Sequence, residues 1–79
     1  MANLMLYAKE QGSKRFGAVD MASHTFPVGL MYATIVPEAK LEVLKQRASM
    51  LHQMNPHITF QIRYAGTATV LFQAGGHAA

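Results

Sequence analysis

Apolar and polar positions alternate most cleanly near the end of the chain. Ile58, Phe60, Ile62 and Tyr64 fall on one side of an extended segment, and His57, Thr59, Gln61 and Arg63 on the other. Side chains on a strand alternate with a period of two, so this pattern predicts a half-buried strand with one wet face. The next segment, Ala68 to Ala74, is expected to pair with it. A two-residue turn at Ala65-Gly66 would bring Thr67, Thr69, Leu71 and Gln73 onto the Phe60 face. A three-residue turn, Ala65-Gly66-Thr67, brings Ala68, Val70, Phe72 and Ala74 there instead. The second register buries more apolar area and uses Gly66 for a positive φ, so it is the one predicted.

Toward the N-terminus the pattern is less regular. Leu4 to Ala8 is an unbroken apolar run, short enough for a strand buried on both faces. Lys9-Glu10-Gln11-Gly12-Ser13 breaks it with turn chemistry, and a second strand is expected from Lys14 to Met21. Residues 22–29, with Pro27 and Gly29, read as a loop. Leu30 to Val36, rich in β-branched and aromatic residues, reads as a third strand.

A helical period starts at Pro37, which suits the first helical position because its missing N–H has no intrahelical partner. Glu38 in the first turn complements the helix dipole, although Val36 stands where a capping side chain is usual. The expected end lies at Asn55, in a left-handed cap, with His52 in the last turn and Pro56 beyond. At roughly 100° per residue, Glu38, Glu42, Lys45, Gln46, Ser49, His52 and Gln53 form a polar arc. Leu41, Leu44, Ala48 and Leu51 form an opposing stripe for docking on the sheet. Val43, Met50 and Met54 form a second apolar stripe, with Lys40 and Arg47 between the two. Two readings of that stripe stand side by side. A curved sheet wraps and buries it while the two cations snorkel, or it stays exposed for a partner.

Together these elements give the order β-β-β-α-β-β. The fold class is α+β: a two-layer sandwich of one helix on a mainly antiparallel sheet of about five strands. Residues 1–74 form a single domain and residues 75–79 a flexible tail.

Composition changes the picture in one respect. Hydrophobic residues are 51% of the 79-residue chain and charged residues only 14%, against about 25% in an average domain. So apolar-rich a small chain is expected to cover surface by self-association or with another protein partner. With no cysteine there are no disulfides or thiolate metal sites. No apolar run approaches the ~20 residues of a membrane span, so no membrane association is expected. The start, Met1-Ala2-Asn3-Leu4, has no secretory signal pattern, which makes a cytoplasmic location the expectation. The net charge of +3 comes from few acids rather than a basic cluster, and permits nucleic-acid binding without requiring it.

Candidate chemistry is sparse. Gly12-Ser13-Lys14 lacks the first glycine of a phosphate-binding loop and precedes a strand rather than a helix. His24, His52, His57 and His77 lack the neighbouring acids a metal site needs, and His52 reads as a helix-end histidine facing the last carbonyls. The four acids, Glu10, Asp20, Glu38 and Glu42, form no recognisable catalytic set. The expectation is therefore no enzyme activity, no cofactor and no metal.

Two functional readings remain. The first is a small protein-interaction module, homo-oligomeric, using Lys40, Val43, Arg47, Met50 and Met54 of the helix, a sheet edge, or both. In that reading the doubly apolar first strand, Leu4 to Ala8, is a candidate seam between subunits. The alternative is a nucleic-acid-binding module using Lys14, His57, Thr59, Gln61 and Arg63 on the polar sheet face, with Phe16 or Tyr32 nearby. The aromatic-basic signature of the commonest RNA-binding sheets is missing.

Overall fold

The computed structural model describes residues 2–20 and 34–75 in full and residues 25–28 by their backbone. In chain order the strands are β1 (Asn3–Glu10), β2 (Gly17–Asp20), β3 (Thr25–Val28) and β4 (Ile35–Pro37). A 3₁₀ turn (Glu38–Lys40) leads into α1 (Leu41–Met54), followed by β5 (Ile58–Tyr64) and β6 (Val70–Ala74). The sheet runs β3-β2-β1-β5-β6, and the three-residue β4 pairs with β1 off that path. Every pairing among the described residues is antiparallel. The expected two-layer α+β arrangement, one helix on an antiparallel sheet, is what forms.

The core lies between α1 and the sheet. Leu4, Leu6 and Ala8 of β1, Val19 of β2, Ile58, Phe60 and Ile62 of β5, and Ala74 of β6 meet Leu44, Ala48 and Leu51 of the helix. The helix stripe and the alternation in β5 thus dock as their spacing predicts.

β1 is not a free sheet edge. It lies mid-sheet, paired with β5 along its length and with β4 and β2 on its other side. Its apolar run is buried within one chain: Leu4, Leu6 and Ala8 face the helix, while Met5 and Tyr7 form a second small cluster with Ala18 on the opposite face. The strand also runs longer than its apolar residues, since Lys9 and Glu10 pair with Thr59 and Ile58. The turn proper is Glu10-Gln11-Gly12-Ser13, closed by Ser13 N–H to the Glu10 carbonyl at 3.0 Å, with Gly12 at φ +90°.

Three local expectations are corrected. Lys14 and Arg15 precede β2 rather than belonging to it, in a bend where the Ser13 hydroxyl donates to the Arg15 carbonyl at 3.3 Å. The stretch read as a loop contains β3, where Pro27 is compatible with an edge position because, among the described residues, β3 pairs only with β2. Of the expected third strand, residues 30–33 lie outside the described residues, and its end is β4. Pro37 closes β4 instead of opening the helix: its φ of −63° fits either state, but its ψ of 149° is extended.

The helix end differs as well. Asn55 sits at φ −134°, ψ 72° rather than in a left-handed cap. Its side-chain amide donates to the Leu51 carbonyl at 3.0 Å, which satisfies an end group without the positive φ. The three-residue turn predicted between β5 and β6 is not what forms: Tyr64 N–H donates to the Thr69 carbonyl across a four-residue turn, 65–68. Phe72 and Ala74, although on the predicted face, lie opposite Ile62 and Phe60, two residues further along than that turn would set them. A register shift then sets Val70 opposite Arg63, so Val70 and Ala68 are exposed rather than on the Phe60 face. The irregularity lets both Leu71 and Phe72 pack against the core. The expected tail begins at Gly75, and residues 76–79 lie outside the described residues.

Candidate functional sites

Two surfaces carry the residues singled out by the sequence. The first is the outer flank of α1. Val43, Met50 and Met54 are 59%, 54% and 70% exposed, so the sheet does not wrap this stripe. Lys40, Val43, Arg47, Met50 and Met54 follow one another at spacings of three, four, three and four, the seam pattern of helices that pack on each other. Lys40 stands at the junction of the 3₁₀ turn and α1, and Arg47 at mid-helix; both are exposed. Neither has an ion-pair partner among the described residues, whereas Lys45 on the other flank pairs with Glu42 at 3.5 Å.

That other flank faces β6. Lys45 Nζ lies 5.9 Å from the centre of the Phe72 ring. The His52 imidazole meets the Ile58 carbonyl with Nδ1 at 2.8 Å, a structural tie across the turn. Among the described residues β6 pairs only with β5, and its sequence Val70-Leu71-Phe72-Gln73-Ala74 holds neither proline nor charge. Such an edge has no built-in guard against pairing with another strand.

The second surface is the sheet face turned away from α1, free of helix among the described residues, which is drier than its polar sequence implies. Tyr7 is 8% and Gln61 9% exposed. The Arg63 side chain lies across its neighbours here. Its guanidinium carbon is 4.7 Å from the Tyr7 ring centre and 5.0 Å from that of Phe16. Its Nε and Nη2 both donate to Gln61 Oε1, at 3.0 and 2.8 Å. Gln61 Nε2 donates in turn to Gln73 Oε1 at 2.6 Å, and Gln73 Nε2 to the Gly75 carbonyl at 2.9 Å. The chain of amides fixes the guanidinium plane. Lys9 Nζ lies 5.2 Å from the same Phe16 ring.

Of the sequence-derived set for this face, Gln61 and Arg63 are brought together. Thr59 lies one row away, opposite Lys9. His57 precedes β5 and lines a cleft of about 430 Å³ with Lys9, Glu10, Gln11, Gly12, Ser13, Pro56 and Thr59. Lys14 is exposed in the β1–β2 connection, outside the stack. Tyr32 lies outside the described residues. Lys9, Tyr7 and Gln73 escaped the sequence reading; the parity of β1 was the available signal, hidden by its apolar run.

Among the described residues no group of three or more His, Asp or Glu is placed to hold a metal ion, and no helix is long and apolar enough to cross a membrane. The chain matches no protein family, no curated protein and no solved structure.

Proposed function

We propose that this protein is a small non-enzymatic protein-interaction module that self-associates through the outer stripe of α1. One observation carries the reading: three large apolar side chains, Val43, Met50 and Met54, stand exposed in line on an otherwise well-packed domain. Removing such side chains from water is worth roughly 1.5–3 kcal/mol each at full burial, enough to favour a stable contact.

A second copy of the chain fits the charge of the stripe. In an antiparallel helix pair Val43 packs near Met54 of the other copy, and Arg47 lays its stem over the other Met50. Lys40 then stands beside the C-terminal turn of the opposite helix, where the helix dipole favours a cation. The open β6 edge is the other surface on which a copy would pair.

The absence of cysteine makes the arrangement testable by cross-linking. Mixing a Val43→Cys variant with a Met54→Cys variant is expected to give the mixed disulfide in preference to either homodisulfide. Dominant homodisulfides would overturn the antiparallel arrangement. The lack of any cross-link would overturn self-association through this stripe.

A further inference from the structure

We propose that the helix-free sheet face is a phosphate-binding surface, built by Arg63 and Lys9 around Phe16, and that its ligand is the backbone of a single-stranded nucleic acid. This goes beyond self-association and uses the opposite side of the molecule.

The guanidinium is prepared for an oxyanion. Two of its five N–H groups are spent on Gln61, which leaves three donors in a plane held by Tyr7, Phe16 and the Gln61–Gln73 pair. Neither Arg63 nor Lys9 has an acidic partner among the described residues, although both stand within 5.2 Å of one ring centre. Both cations stand beside one ring with no carboxylate bonded to either among the described residues, and a bound anion would supply the counter-charge. A phosphate suits the planar fork of arginine together with the point charge of lysine.

The surface continues past Lys9 into the cleft at the β1–β2 turn. His57 and Thr59 add side-chain donors there, and Glu10 is the single carboxylate of its lining. Donors in a row beside a half-buried aromatic ring match how single strands are held: phosphates on cations, bases against a ring. A free phosphate shares the first half of that chemistry, and the test separates the two sources.

The measurement is fluorescence anisotropy of a labelled oligothymidylate titrated with the full chain, with inorganic phosphate as competitor. Two phosphate contacts on a single strand give a log–log salt slope of about −1.4, or about sevenfold weaker binding between about 50 and 200 mM salt. Lys9→Gln is expected to halve that slope. Arg63→Lys, which keeps the charge but not the fork, is expected to weaken binding with the slope little changed. Met50→Glu is expected to leave binding intact, which separates this site from the α1 stripe. No binding, or a slope that Lys9→Gln leaves unchanged, would overturn the proposal. Competition by inorganic phosphate as strong as that by unlabelled oligonucleotide, phosphate for phosphate, would overturn the assignment to nucleic acid.

Discussion

The guanidinium of Arg63 lies 4.7 Å from the centre of the Tyr7 ring, across a strand boundary, on a sheet face where both Tyr7 and Gln61 are buried. Arg63 acts there through its stem and plane as much as its charge. Arg63→Ala is expected to cost about 1–2 kcal/mol in urea unfolding, through the lost ring contact and Gln61 bonds. Arg63→Met, which keeps the cover, is expected to cost less. Equal losses in the two variants would show that the cover is unimportant.

Val43 and Leu44 are neighbours in sequence on different flanks of α1. Leu44 is fully enclosed by the core, so Leu44→Ala should cost about 2–5 kcal/mol. Val43→Ala should stay within about 0.5 kcal/mol when measured on dissociated protein. A large loss at Val43 under those conditions would mean that the side chain is buried in the monomer.

Gly12 and Gly75 separate two costs of adding a methyl group. Both have positive φ, at +90° and +81°. At Gly12 a Cβ meets open space, whereas at Gly75 it collides with the His52 imidazole. Gly12→Ala is expected to lose about 1–2 kcal/mol from backbone strain alone. Gly75→Ala should lose more, and should disturb the His52 ring signals in a proton NMR spectrum. Equal costs would argue against the Gly75–His52 contact.

The Tyr64 hydroxyl donates to Glu38 Oε2 at 2.7 Å, joining the end of β5 to the turn before α1. That hydrogen bond, and then the carboxylate charge, raise the Tyr64 pKa above its ordinary value near 10. The neutral phenol is favoured in the fold, so the stabilisation is present below the unfolded pKa and lost as pH rises through the folded one. Alkaline absorbance titration should show one tyrosine ionising late in the wild type, moving back toward the ordinary range in Glu38→Gln. A titration unchanged by that substitution would rule the hydrogen bond out in solution.

How much of this was legible in sequence depended on whether a pattern was local. The alternation of Ile58, Phe60 and Ile62 and the three-four spacing of Leu41, Leu44, Ala48 and Leu51 are set within single elements, and both located the core correctly. The exposed stripe of α1 could be seen as a stripe, but only tertiary packing decided that the sheet leaves it bare. β3 was missed because Pro27 argues against a strand in general and not against an edge strand.

The helix-free face shows the same limit more sharply. Gln61 and Arg63 read as solvated because their covering partners, Tyr7 and Phe16, come from residues more than 40 positions earlier. Lys9 was read as a turn residue because polarity ended the apolar run, while the ladder with β5 continued through Glu10. Cross-strand neighbours, not residue types, settled both cases.

Self-association through the outer stripe of α1 is read out by light scattering after size exclusion. At high micromolar concentration the wild type should elute with twice the monomer mass, and Met50→Glu with the monomer mass and an unchanged circular dichroism spectrum. A wild-type monomer at that concentration, or a dimer that survives Met50→Glu, would contradict it.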